Sequence, residues 1–357
     1  MLAALAGRAE AQRKPDFNDS HFHLTNFIQR GPDVMSFLGI MGTRVGRSTL
    51  FGIPLQQTWQ HENSGNYAPD YYLETDAPLY YYSFTDAWIA MQYRSLPVAA
   101  QARFEPMITG FNPADMYAAD HIRRVLVAFP GVFSGIGEFS IHKEFVSGKV
   151  AGEIASLTNP ALDSILEFAA EAGLVVILHN DINRPFAKSG KEPVYLTQMK
   201  ELLRRHPRTT IIWAHTGLGR VVGPTQHQGT GGAGTPMRDP RHVEIIESLC
   251  ADPTLRHVLF DISWDEVAKY IIATPQTVAA AAGLINRHPD RFLFGTDNVA
   301  PTDSASYYAV FEMYAPLWKA LTPDASEQVR LGNFARVFDQ ARVRVRAWEA
   351  AHRTMER

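Results

Sequence analysis

What most constrains this chain is a recurrence. Eight short runs rich in Val, Ile and Phe end in polar residues: "DFNDSHFH" (16–23), "STLFGIPL" (48–55), "PMITGFNP" (106–113), "GVFSGIGEFS" (131–140), "GLVVILHND" (173–181), "TTIIWAHTG" (209–217), "HVLFDISW" (257–264) and "RFLFGTDN" (291–298). Runs that are apolar along their whole length, not alternating, are what a parallel strand buried on both faces requires. Helix patterns lie between them. "NPADMYAADHIRRVLVAFPG" has Asn112 in place to cap a helix and Pro113 at its first position. "NPALDSILEFAAEAG" repeats the device with Asn159 and Pro160 and offers Gly173 as the stop. From Glu138, the polar strand ends His179, His215, Asp261 and Asp297 follow at steps of 41, 36, 46 and 36 residues. Steps of that size predict a (β/α)8 TIM barrel over residues 17–340, with 357 residues leaving room for an insertion after strand 2 and extra C-terminal helices. An open doubly wound sheet shares the same pattern, because closure is not written in one sequence.

Two stretches break the rhythm. Residues 57–84 carry five tyrosines between 71 and 82 and read as an insertion over the barrel mouth. Residues 222–240 form a Gly-rich loop after strand six, long enough to be a functional segment. Residues 1–16 read as an N-terminal extension and 341–357 as a C-terminal helix, whose arginines Glu349 and Glu356 balance.

Composition narrows the function. The net charge is −3 and no Lys/Arg run stands out, which argues against a nucleic-acid partner. No apolar run approaches the ~20 residues of a membrane span. The single cysteine, Cys250, rules out intrachain disulfides and thiolate metal clusters and suits a reducing compartment. The expected location is therefore cytoplasmic. A periplasmic one follows if "MLAALAGRAEAQ" is the remnant of an export signal. The aromatics of 70–93 hint at a homo-oligomer contact.

The chemistry gathers where a barrel places it, at the C-terminal ends of the strands. His21 and His23 are separated by one residue, so on a strand they point the same way. Glu138, His179, His215, Asp261 and Asp297 occupy the other strand ends, and clusters of histidine and carboxylate mark metal or catalytic sites. The remaining histidines, His61, His206 and His288 among them, read as surface residues. "GLGRVVG" (217–223) mimics a dinucleotide fingerprint, but its third glycine is one position late and a Gly/Pro-rich loop follows in place of a helix.

On "DSHFH", "VVILHND", "IIWAHTGLGR" and "FLFGTDNVAP", taken in order, the chain resembles the amidohydrolase superfamily, and within it the amidohydrolase 2 branch of metal-dependent hydrolases and decarboxylases, from about residue 17 to 337. The resemblance implies a divalent metal, zinc foremost, as one ion or two, held by His21, His23, His179 and Asp297. It implies that His215 binds a second metal or polarises the reacting group. Many two-metal members bridge with a carboxylated lysine on strand four; here Glu138 takes that slot and Lys143 lies five residues on, so Glu138 is a candidate ligand. The implied reaction is hydrolysis of a small-molecule amide, lactone or ester by metal-activated water, with Asp297 as general base and His215 stabilising the developing charge. Arg184, Arg220 and Trp264, together with Asn180 and Asp181, lie near the expected mouth as candidate substrate contacts. Two alternatives stand beside this: nonoxidative decarboxylation of an aromatic or unsaturated acid by the same metal set, and a catalytically silent barrel that binds a ligand or metal.

Overall fold

The computed structural model describes residues 14–182, 192–220 and 242–352. Arg184 and the Gly-rich loop 222–240 lie outside the described residues, as do residues 1–13. The strands are β1 (Phe17–Asp19), β2 (Phe22–Thr25), β3 (Val45–Gly52), β4 (Leu55–Gln57), β5 (Leu79–Tyr81), β6 (Phe104–Ile108), β7 (Gly135–Ser140), β8 (Val175–His179), β9 (Ile211–Trp213), β10 (Val258–Asp261), β11 (Phe292–Leu293) and β12 (Asn298–Val299).

Among the described residues the main sheet runs β11-β10-β9-β8-β7-β6-β3-β2-β12, with β1 also paired to β3, and its pairings are parallel. Its two ends, β11 and β12, are halves of one broken stave, residues 292–299, and β1 and β2 are likewise halves of another. The Ser20 N–H donates to the Phe294 carbonyl at 3.0 Å and the Asp297 N–H to the His21 carbonyl at 2.8 Å. These bonds tie the last stave to the first, so the sheet closes into the (β/α)8 barrel and the doubly wound alternative falls.

Burial explains how apolar strands can carry a polar site. Along β8, Val176 and Leu178 pack outward beneath the helices, whereas Val175 and Ile177 face the lumen. The next inward position is His179. In β10 the inward pair is Leu259 and then Asp261; in the last stave it is Leu293. The lumen floor of Phe51, Met107, Ile177, Ile212, Leu259 and Leu293 is plugged by Phe334, Val337, Phe338 and Ala341, one face of the helix Asn333–His352. That helix runs through residue 340, so the boundary drawn there cuts a single element.

Two other expectations are corrected, the first capping device and the surface reading of His206. The first capping device does not start a helix: Asn112 Oδ1 accepts from the Ala114 N–H at 2.9 Å in a turn, and the helix begins only at Ala118. The second does, with Asn159 capping Pro160–Ala172 and Gly173 stopping it at φ 76°. The insertion is ordered: β4 and β5 form an antiparallel hairpin whose Leu55 and Leu79 pack with Phe27, Ile53, Tyr72 and Val146. His206 is 6% exposed and lies 2.6 Å from Asp163, so it is no surface residue.

Candidate metal centre

The site rests on the first and last staves, and Asp19 of the "DSHFH" run locks them together. Its carboxylate accepts from the His21 N–H (3.0 Å), the Thr296 N–H (2.9 Å) and hydroxyl (2.7 Å), and the Tyr307 hydroxyl (2.8 Å). The last stave must approach the first closely, and a Cβ at Gly295 would lie 2.6 Å from that of His21. On β7 the pairing register slips between Ile136 and Phe139, where Gly137 takes φ +100°. Both of those apolar residues stay in the outer core, which leaves Glu138 between them to face the lumen.

The side chains converge tightly. His21 Nε2 lies 3.6 Å from Glu138 Oε2 and 3.3 Å from Asp297 Oδ1, and His23 Nε2 lies 3.4 and 3.2 Å from the same two atoms. His215 Nε2 is 3.6 Å from Glu138 Oε1 and 3.8 Å from Asp297 Oδ2. His179 Nδ1 is 2.6 Å from Glu138 Oε1, while its Nε2 is held at 3.0 Å by Asp181. Among the described residues three groups could hold an ion: His21, His23, Glu138 and Asp297; His21, His215 and Asp261; and Glu138, His179 and His215. His179 thus shares its group with His215, apart from the histidine pair with which the resemblance placed it.

The geometry suits a cation. The Nδ1 atoms of His21 and His215 are occupied by Asp261 (2.9 Å) and by the Ser263 hydroxyl (2.9 Å). Their Nε2 atoms are buried with no hydrogen-bond partner, which is how outer groups orient imidazoles toward a metal. Asp261 also accepts from the His215 N–H at 2.8 Å. Burial would raise the carboxyl of Asp297, but His215, His21 and the His23 hydrogen bond outweigh it and hold it well below the usual range. Glu138 is held low in the same way, by Lys143, His179, His21 and His215. Burial disfavours a charged His21, yet Asp261 and Asp297 raise it well above the usual histidine range. Surroundings that draw positive charge onto imidazole hold a cation by the same field.

Asp297, His215, Thr216 and Trp264 have φ of 52°, 56°, 54° and 79°. Left-handed backbone in non-glycine residues costs on the order of 1 kcal/mol or more each and clusters where function fixes geometry. The Trp264 ring lies 5.1 Å from that of His215, and the Arg220 guanidinium stacks over Trp264 at 5.0 Å and donates to the Tyr71 hydroxyl at 3.2 Å. Asn180 is fully buried, its carbonyl accepting from the Trp213 indole at 2.8 Å. Sequence reasoning passed over Asp19 and Ser263, and set Lys143 aside as five residues beyond the bridging slot, although its ammonium lies 3.7 Å from Glu138 Oε1. Ser263 was legible as the same-face neighbour, two residues on, of Asp261; Lys143 enters from a loop, and nothing in its spacing announces it.

The amidohydrolase family model matches residues 19–340. The chain belongs to the amidohydrolase family. No curated protein sequence matches it. Among solved structures, this amidohydrolase is similar to 2,6-dihydroxybenzoate decarboxylase from Rhizobium, with a TM-score of 0.51 at 13% identity over 92% of this chain and 99% of that one. A second structure of a 2,6-dihydroxybenzoate decarboxylase, bound to 2,6-dihydroxybenzoate, gives 0.54 at 13% identity over 92% and 100%. A Pseudomonas putida protein assigned as a 2-pyrone-4,6-dicarboxylic acid hydrolase gives 0.50 at 13% identity over 91% and 97%. At such identities the likeness shows the fold. The family places the chain among metal-dependent enzymes, and the buried His/Glu/Asp cluster is where a metal can bind. Among the described residues no helix is long and apolar enough to cross a membrane.

Proposed function

We propose that this amidohydrolase hydrolyses a small-molecule amide, lactone or ester that carries a carboxylate. The observation that carries the reading is the placement of Asp297: its side chain is 11% exposed, against 0–4% for His21, His23, Glu138 and His215. It is the carboxylate of the cluster that reaches the opening, and it is held ionised. Such a group takes a proton from water and returns it to the leaving atom. His21, His23, Glu138 and Asp297 would hold a divalent ion, zinc foremost. When bound, the ion supplies Lewis acidity and lowers the pKa of water. His215, kept neutral first by burial and oriented by Ser263, directs Nε2 at the reacting group. Arg220, stacked on Trp264 and joined to Tyr71 of the insertion, offers a guanidinium that pairs a carboxylate bidentately; Arg184 is a second candidate.

The same arginine favours one rival reading, decarboxylation of an aromatic acid, since that substrate must also present a carboxylate. Incubating the metal-loaded protein with carboxylate-bearing lactones, amides and hydroxybenzoates separates the two. Acid release followed by pH-stat without CO2 is the expected result; CO2 evolution from the aromatic acids would replace hydrolysis with decarboxylation.

A further inference from the structure

Glu138 faces two different environments through its two oxygens. Oε2 looks toward His21 Nε2 (3.6 Å) and His23 Nε2 (3.4 Å). Oε1 looks toward His179 Nδ1 (2.6 Å), His215 Nε2 (3.6 Å) and the ammonium of Lys143 (3.7 Å). A glutamate placed this way could bridge two cations, one on each side. The two sides are not equivalent. On the Oε1 side both nitrogens of His179 are already engaged, by Glu138 and by Asp181 at 3.0 Å, and a positive charge is already in place. Lys143 is not a stray surface side chain that has folded inward. Its side chain is 17% exposed, and its backbone N–H donates to the Ser147 hydroxyl at 3.0 Å, which in turn donates to the Ile141 carbonyl at 2.9 Å. The N–H of the next residue, Glu144, donates to Asp181 at 3.0 Å, pinning the loop to the strand end that carries His179. The loop that carries Lys143 is thus held on both sides, and it brings the ammonium to 3.7 Å from Glu138 Oε1.

We propose that the Lys143 ammonium occupies the place of a second metal, so that the centre takes one divalent ion on the Oε2 side of Glu138, and that Lys143 is the residue that sets this number. A divalent ion on the Oε1 side would sit within one carboxylate of a like charge, in a low-dielectric pocket where repulsion is weakly screened. The mode of control differs from ligand choice: the donor atoms for two ions are present, and a neighbouring cation vetoes one of the two sites. The inference rests on the metal reading above.

The test is metal stoichiometry of the full chain, stripped with chelator and titrated with Zn2+ and Co2+, read by elemental analysis, calorimetry and the Co2+ absorption spectrum. Wild type should bind one ion per chain. Lys143→Met should bind two, with the second event at least tenfold tighter than any weak second event in wild type, and Lys143→Arg should return to one. Lys143→Gln serves as the second neutral variant, and the count is taken on whichever neutral variant keeps the wild-type far-UV spectrum. Two ions in wild type, or one or none in a folded neutral variant, would overturn the inference. Two in wild type leaves the metal reading standing, whereas none in wild type overturns both.

Discussion

The two ends of the barrel solve the problem of buried charge in opposite ways. At the closed end Glu105 is 1% exposed, and Arg47, Arg342 and the Ser134 hydroxyl all bond to it. Around it the lumen is apolar and filled by Phe334, Val337 and Phe338. There the buried carboxylate is neutralised by two guanidinium groups. At the open end Glu138, Asp261 and Asp297 face imidazoles and one ammonium, and the Nε2 atoms of His21 and His215 are left without partners. In β8 and β10 one strand serves both ends, with Ile177 two residues before His179 and Leu259 two before Asp261. A barrel therefore pools its stability below and leaves unmet polar groups above, which is what a site that must receive a cation and a substrate requires.

Breaking each end separately should break different properties. Asp297→Asn should lower kcat/KM by about 10^3-fold or more, the scale of a lost general base and ligand, while the chelated protein loses far less stability than a core deletion costs, since only the interaction of the ionised carboxylate with His215, His21 and His23 is removed. Steady-state kinetics and a thermal melt measure the two. Phe338→Ala should do the reverse: removing a fully buried ring costs about 3–5 kcal/mol, with kcat/KM per folded molecule unchanged. If that variant loses activity without losing stability, the division between the ends is wrong.

A smaller effect sharpens the boundary. Burial, reinforced by hydrogen bonding to Asp181, pushes the Glu144 carboxyl from 4.5 up to about 8. Between roughly pH 4.5 and 8 the folded chain keeps a proton that the unfolded chain has lost, so stability falls as pH rises through that window. Melting temperature measured with chelator from pH 5 to 8 should show this decline, and Glu144→Gln should flatten it.

Much of the plan was legible in the spacing of residues. Eight apolar runs closing in polar residues led to the barrel, because burial on both faces and a helix between strands leave few other solutions. His21, His23, Glu138, His179, His215 and Asp297 could be named because period-two alternation carries a lumen-facing stripe from apolar floor to polar rim. The Asn112 helix start failed because the Asn-Pro cap signal is also a turn signal, and only packing chooses between them. Closure by the broken stave 292–299, the bulge that turns Glu138 inward, the filling of the floor by Phe338 and the entry of Lys143 from a loop were settled by tertiary structure alone. Each depends on which distant surfaces meet, and a pattern of period two or 3.6 holds information only about near neighbours. The sequence by itself determined the fold class and the chemistry of the rim. The tertiary structure decided which nitrogens lack a hydrogen-bond partner, which carboxylate is the more exposed, and which loop brings a lysine to Glu138.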